Sequence, residues 1–231
     1  MRWRICSWEL LGRAQRLARS VSLRTADMNR NKAAIEVRPL TARDWPVIER
    51  LFGPRGACGG CWCMYWRVPR GGELWKRNQG EPNKRAFRKL VEAGKVRGAL
   101  AFSGGEPVGW CALGPRAEFP RTERVKALRA EWDEHTWSVN CFYIPRAWRG
   151  RGVASRLLAL AVEIARAGGA TVLEGYPVRF KGVADPRLAA AFAWTGVQAM
   201  FDRCGFVEQP TPPAAHRLHR LALTPPARKR R

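Results

Sequence analysis

Arg149, Gly150, Arg151 and Gly152 stand immediately before a segment of helical apolar spacing that opens at Val153, and residues of these types in this order can hold a phosphate anion. The first amides of a helix have no partner inside it, and its aligned peptide dipoles place partial positive charge at the same end. Gly150 and Gly152 let the backbone come close to phosphate oxygens. Arg149 and Arg151 bring charge and forked donors; Ala154 is small enough for close contact, and Ser155 offers a hydroxyl. The run lacks the Gly-Lys-Ser/Thr of a Walker loop and is not a full dinucleotide fingerprint. A pyrophosphate is the ligand expected at the mouth of this helix.

A second cluster, Cys58-Gly-Gly-Cys61-Trp-Cys63, contains the Cys-x-x-Cys spacing that can grip zinc. A closed zinc site needs four ligands, and His216 and His219 are the nearest histidine pair, far off in sequence. No metal is expected; a redox-active pair is the other chemical reading.

These residues need elements to position them. Residues 35–40 alternate as a half-buried strand, and Thr41 is placed to cap a helix over 42–52 with Trp45, Ile48, Leu51 and Phe52 on one face. A Gly- and Cys-rich loop, 53–63, leads to helical pieces at Glu73–Asn78 and 83–93. Residues 96–102 and 107–113 read as a hairpin about Gly104-Gly105. The charged stretch 121–134 reads as a helix or an excursion over the domain, and 136–144 as a strand rich in aromatic and branched residues. The helix from Val153 places Leu157, Leu160, Ala161 and Ile164 at helical spacing before Gly168 and Gly169. A strand at 171–178, a loop at 179–186, a helix at 186–203 broken near Gly196, and two closing strands complete an order β-α-α-β-β-β-α-β-α-β-β, a mixed sheet covered by helices.

Composition sets limits. The chain has 231 residues with 46% hydrophobic content, enough to fill a core, and no apolar run near the ~18 residues of a membrane span. A soluble protein with no membrane partner is expected. The net charge of +23 favours anionic partners, but arginine is spread along the chain without a helix-turn-helix, zinc-finger or RNA-recognition signature, so no specific nucleic acid is expected. Seven cysteines without a secretory signal read as reduced thiols and a cytoplasmic location. Residues 1–33 read as a disordered leader, a transit-like segment or an over-extended start before Met28; 34–224 reads as the folded domain and 225–231 as a basic tail.

The segment 140–158, NCFYIPRAWRGRGVASRLL, resembles the acyl-CoA-binding motif of GNAT acyltransferases, Arg/Gln-x-x-Gly-x-Gly/Ala, matched by Arg149, Gly152 and Ala154. The element order over 35–223 and the ending MFDRCGF, 200–206, are similar to that family as well. The resemblance implies an α/β (α+β) fold with a mixed, mostly antiparallel sheet of about seven strands, helices on both faces, and a splayed central pair of parallel strands, here 138–143 and 171–176. It implies an N-acetyltransferase using acetyl-CoA as acyl donor and a small-molecule or peptide amine as acceptor, with a homodimer left open. The pyrophosphate would lie on Arg149, Gly150, Arg151, Gly152, Val153, Ala154 and Ser155, and the pantetheine arm against Cys141, Phe142, Tyr143 and Ile144. Glu174 is the expected base, with Asp133, Glu134 and His135 in reserve, and exposure to water or pairing with an arginine is the competing reading for its carboxylate; Tyr176 or Tyr143 is the expected acid. Phe201 stands where the family commonly carries tyrosine, which raises a non-catalytic acyl-CoA-binding module as the alternative. Trp62, Met64, Tyr65 and Trp66 are expected to wall the acceptor pocket, with ordinary core packing as the competing reading.

Overall fold

The computed structural model describes residues 34–69, 73–178 and 193–223. Its elements are β1 (Ile35–Pro39), α1 (Trp45–Phe52), α2 (Glu73–Asn78), α3 (Glu81–Glu92), β2 (Arg97–Ser103), β3 (Glu106–Pro115), β4 (Thr136–Tyr143), α4 (Val153–Ala167), β5 (Val172–Gly175), α5 (Gln198–Arg203), β6 (Val207–Glu208) and β7 (His219–Ala222). Three helices precede β2, at the three segments that read as helical in the sequence, whereas the β-α-α-β order counts two of them. The described residues from Glu36 to Leu223 form one structural unit; the expectations for residues 1–33 and 225–231 lie outside the described residues.

The strands make a single sheet in the order β1-β2-β3-β4-β5-β7-β6. The β2/β3, β3/β4, β5/β7 and β6/β7 pairs are antiparallel, and β4/β5 is parallel. Alternation along β3 sets the layers, because neighbouring residues of a strand face opposite sides. A Cβ at Gly109 would meet Val153 and Leu157 of α4, so α4 seals that face. The next side chain, Trp110, packs on Phe52 of α1 and Phe87 of α3, at 6.2 and 6.1 Å between ring centroids, on the other face.

The buried stripe of α1 is Trp45, Ile48, Leu51 and Phe52, as its spacing predicts. In α4 the stripe is Val153, Leu157, Leu158, Ala161, Val162 and Ala165. It is rotated from the predicted one, leaving Leu160 and Ile164 half-buried.

The charged stretch after β3 is neither a regular helix nor a loose excursion. It folds as short 3-10 turns, Arg116–Glu118, Pro120–Arg124 and Lys126–Leu128, and Phe119 and Leu128 are buried beside Trp66, Tyr176 and Leu218. Of the helix predicted over 186–203, the part up to 192 lies outside the described residues; the remainder is a 3-10 turn, Ala193–Thr195, and the short α5, separated at Gly196. Among the described residues no helix is long and apolar enough to cross a membrane.

Candidate active site

β4 and β5 keep parallel register from Thr136 against Val172 to Val139 against Gly175, and then part. On β4, Ala112 pairs with Cys141 and Leu113 with Val139, which leaves Asn140 as an extra residue, a bulge that bends the strand. The Asn140 carbonyl accepts the indole N–H of Trp66 at 2.9 Å. On the other side the chain beyond β5 turns to a new partner: Val178 N donates to Gly196 O at 2.9 Å. Gly175 has no space for a side chain, since a Cβ there would lie 2.0 Å from the Phe201 ring. Phe201 is fully buried and packs on Phe206 at 4.9 Å and Phe142 at 6.4 Å. The position expected to supply an acid is therefore a wedge under the end of β5.

A groove of about 660 Å³ opens where the strands part, and Phe142, Tyr143, Ile144, Arg149, Gly150, Gly152, Val153, Ala154 and Ser155 line it. Gly152 is left-handed (φ 79, ψ 2) at the start of α4 and supplies no side-chain cap, so the mouth of the helix stays accessible. Arg156 N to Gly152 O, 3.2 Å, marks the start of the helical ladder, and the preceding amides have no acceptor within the helix. Arg149 Nε donates to Ile144 O at 3.1 Å and ties this loop to β4. Two expected members stand elsewhere. Cys141 lines the neighbouring cavity; Arg151 stacks its guanidinium over the Trp148 ring at 5.0 Å, and Trp148 lines the groove in its place. Sequence reasoning missed the opposite wall, Trp194, Met200 and Arg203 among it; these residues lie some fifty positions beyond the loop, and no local spacing announces them.

The neighbouring cavity, about 310 Å³, shares Ala57, Cys58, Phe142, Tyr143 and Trp194 with the groove. Tyr65, Trp66, Trp75 and Trp110 supply rings to its wall, and Cys58, Cys61, Cys63 and Cys141 supply thiols. Of the four residues expected to wall an acceptor pocket, Tyr65 and Trp66 line this cavity. Trp62 and Met64, 3% and 8% exposed, are packed into the core with Trp45 and Phe52. The cause is a tight loop: Ala57, Trp62 and Cys63 hold left-handed φ values of 69, 44 and 55, turning Trp62 inward onto Trp45 at 5.7 Å and bringing Cys63 to the cavity.

Cys63 Sγ accepts the Trp110 indole N–H at 3.2 Å. A hydrogen bond from Cys141 holds its thiol below the ordinary value against desolvation, and Trp110 and Arg67 act in the same direction. Burial pushes Cys61 up to about 12. Although these thiols share a cavity, no group of three or more His, Cys, Asp or Glu among the described residues is arranged to hold a metal.

Glu174 is fully buried, and two guanidinium groups occupy its oxygens. Arg116, itself fully buried, pairs with Oε2; Arg220 reaches Oε1 at 2.7 Å. The Tyr176 hydroxyl donates to Glu174 Oε2 at 3.1 Å and shares a 2.8 Å hydrogen bond with Ser138. Burial, then the Glu174 charge, raises the Tyr176 hydroxyl far above its ordinary value. Neither residue lines the groove or the cavity. The expectation of Glu174 as base and Tyr176 as acid does not fit this geometry, because both are enclosed in a paired network. Asp133 Oδ1 accepts the Thr136 hydroxyl at 2.8 Å at the entry to β4, and Glu134 and His135 are exposed there; none of the three lines either cavity. Among the described residues no carboxylate or imidazole does.

The sequence profile of the acetyltransferase (GNAT) family matches residues 63–179, about half of the chain and the stretch that runs from Cys63 through the parting strands. No curated protein sequence matches significantly. Among solved structures, an N-acetyltransferase from Staphylococcus aureus Mu50 is similar at 13% identity and TM-score 0.48, over 83% of this chain and 100% of that one. An acetyltransferase of the GNAT family from Streptococcus pneumoniae gives 16% and 0.47, over 83% and 100%. The PaiA N-acetyltransferase from Thermoplasma acidophilum in complex with coenzyme A gives 14% and 0.46, over 82% and 99%. With the profile spanning both parting strands and the loop at the mouth of α4, the chain belongs to the GNAT acetyltransferase family.

Proposed function

We propose that the protein is an N-acetyltransferase that takes its acyl group from acetyl-CoA and passes it directly to an amine. The observation that carries this reading is the continuity of two cavities: a groove at the uncapped mouth of α4, and an aromatic cavity that shares Tyr143 and Phe142 with it. The first fits a diphosphate with a thiol arm, and the second fits an acceptor. The free cysteines agree with a reducing, cytoplasmic compartment.

Amides of α4 and the Arg149 and Arg203 guanidinium groups hold the diphosphate. Acetyl-coenzyme A would supply a thioester carbonyl. Amides of β4 beyond Val139, which no longer meet β5, polarise that carbonyl. The acceptor nitrogen forms its bond to the acyl carbon as the carbon–sulfur bond breaks, and the departing thiolate needs a proton. The chain has three tyrosines; Tyr176 is enclosed, Tyr65 lines the aromatic cavity but not the groove, and Tyr143 lines both. Burial raises the Tyr143 hydroxyl above its ordinary value, so it is a phenol throughout the neutral range and can donate. Water returns the proton lost by the nitrogen to the phenolate.

Tyr143→Phe is expected to lower kcat about a hundredfold with coenzyme A affinity unchanged. Stopped-time thiol release and calorimetry on one preparation read both quantities; a wild-type kcat would remove Tyr143 from the proton path. Phe201 favours a second reading, an acyl-CoA-binding module without turnover. Thiol release from acetyl-CoA over a panel of amines separates the two, since the module binds donor and releases none.

A further inference from the structure

We infer that the acceptor is a small aromatic amine of low basicity, of the arylamine or arylhydrazine class, which enters the cavity uncharged. This rests on the acetyltransferase reading and adds the chemical class of its second substrate.

The walls come first. Tyr65 meets Trp66, Trp75 and Trp194 at 5.1, 5.4 and 5.3 Å between centroids, with interplanar angles of 84°, 87° and 79°. These rings form a corner of edges and faces into which another flat ring packs well. At about 310 Å³ the space lies at the small end of the ~300–1,000 Å³ range of ligand pockets, suited to one or two rings.

Charge then selects among amines that fit. An aliphatic amine is an ammonium at neutral pH, and moving it out of water needs a counter-charge. No carboxylate lines the cavity among the described residues. Aromatic faces can hold a cation in place of a carboxylate, but at the Tyr65 and Trp75 corner a cation is already present. The Arg121 guanidinium lies 3.8 Å over the Tyr65 centroid and 5.8 Å from that of Trp75. Its Nη1 is buried without a hydrogen-bond partner among the described residues. Arg67, close enough to act on the Cys63 thiol, is paired with Glu118 at 2.9 Å, so Arg121 is the cation that matters here. Its field opposes an ammonium and leaves a neutral amine unaffected.

Chemistry agrees. The acceptor nitrogen needs a free lone pair, and no carboxylate or imidazole among the described residues faces the cavities to take a proton beforehand. An arylamine carries its lone pair free at neutral pH. Its nitrogen becomes acidic once bonded to the acyl carbon, so water can take the proton as the thiolate leaves. Arg121 is thus a specificity-determining residue, acting from behind the ring of Tyr65.

The test measures thiol release from acetyl-CoA with 4-methoxyaniline, with phenethylamine, similar in size but protonated, and with spermidine, beside calorimetry of coenzyme A binding. At pH 7 kcat/KM for 4-methoxyaniline is expected to exceed that for phenethylamine by at least about tenfold, as their neutral fractions dictate. Between pH 7 and 9 the phenethylamine value should climb relative to that of 4-methoxyaniline. Arg121→Gln should narrow the gap by admitting phenethylamine, with coenzyme A affinity unchanged. Preference for phenethylamine or spermidine at pH 7 would overturn the inference and leave the acetyltransferase reading standing. Coenzyme A bound with no thiol released by any of the three, or by a wider amine panel, would overturn that reading itself.

Discussion

Gly152→Asp is expected to weaken coenzyme A binding by at least about a hundredfold, or ~2.7 kcal/mol. The substitution places a carboxylate at the start of α4, where, in the proposed site, the amides and Arg149 hold a diphosphate. Opposed like charges at such a site cost several kcal/mol. A Cβ at Gly152 meets nothing within 4 Å, so the cost to folding is confined to its left-handed φ of 79. For a non-glycine residue that is roughly 1–2 kcal/mol, and aspartate is among the residues that tolerate the region best. Gly152→Asn carries a similar backbone cost without charge and separates the two effects. Isothermal titration should find most of the affinity kept in Asn and lost in Asp; equal loss in both would assign the site to backbone shape alone.

Glu174→Gln should act on stability rather than on chemistry. Removing one partner of a buried ion pair costs about 3–5 kcal/mol, because the remaining charge is left uncompensated. Here both Arg116 and Arg220 lose the negative charge they share, although Arg116 keeps Glu123 at 2.9 Å. For a domain of this size the expected fall in Tm is about 10 °C or more. At a temperature where the variant is folded, kcat should stay within a few-fold of wild type. A kcat lowered by orders of magnitude at unchanged Tm would restore Glu174 as the base. Tyr176→Phe, which removes the hydroxyl shared with Ser138, should cost about 1–2 kcal/mol and likewise spare kcat.

The parts of the molecule written locally in the chain were legible before the structure. Glycines, arginines and the apolar period from Val153 fix the loop and α4 together, because helix mouth and candidate ligand site are one piece of backbone. The hairpin about Gly104-Gly105 and the stripe of α1 are local for the same reason. What escaped depends on partners distant in sequence. Arg116 lies 58 residues before Glu174, and a carboxylate in mid-strand beside a cleft reads as a base or as half of an ion pair until two particular arginines arrive from a 3-10 turn and from β7. Trp62 and Met64 share a run with Tyr65 and Trp66, yet left-handed φ values at Trp62 and Cys63 send the first pair to the core and the second to the cavity. Period alone does not resolve such a reversal, since non-glycine residues in that region are set by tertiary packing. The choice of Phe201 was visible, but its reason was not. The side chain fills the space that Gly175 leaves open, and in doing so helps to hold β5 away from the far end of β4.

The central claim is that the mouth of α4 grips a diphosphate belonging to coenzyme A. Its most direct test is a pair of calorimetric titrations of the folded protein, one with acetyl-CoA and one with S-acetylpantetheine, which keeps the thioester arm and lacks the diphosphate. The expected result is saturable binding of acetyl-CoA at one site per chain, and at least about a hundredfold weaker binding of S-acetylpantetheine. Equal affinity for the two, or no uptake of acetyl-CoA, would contradict it.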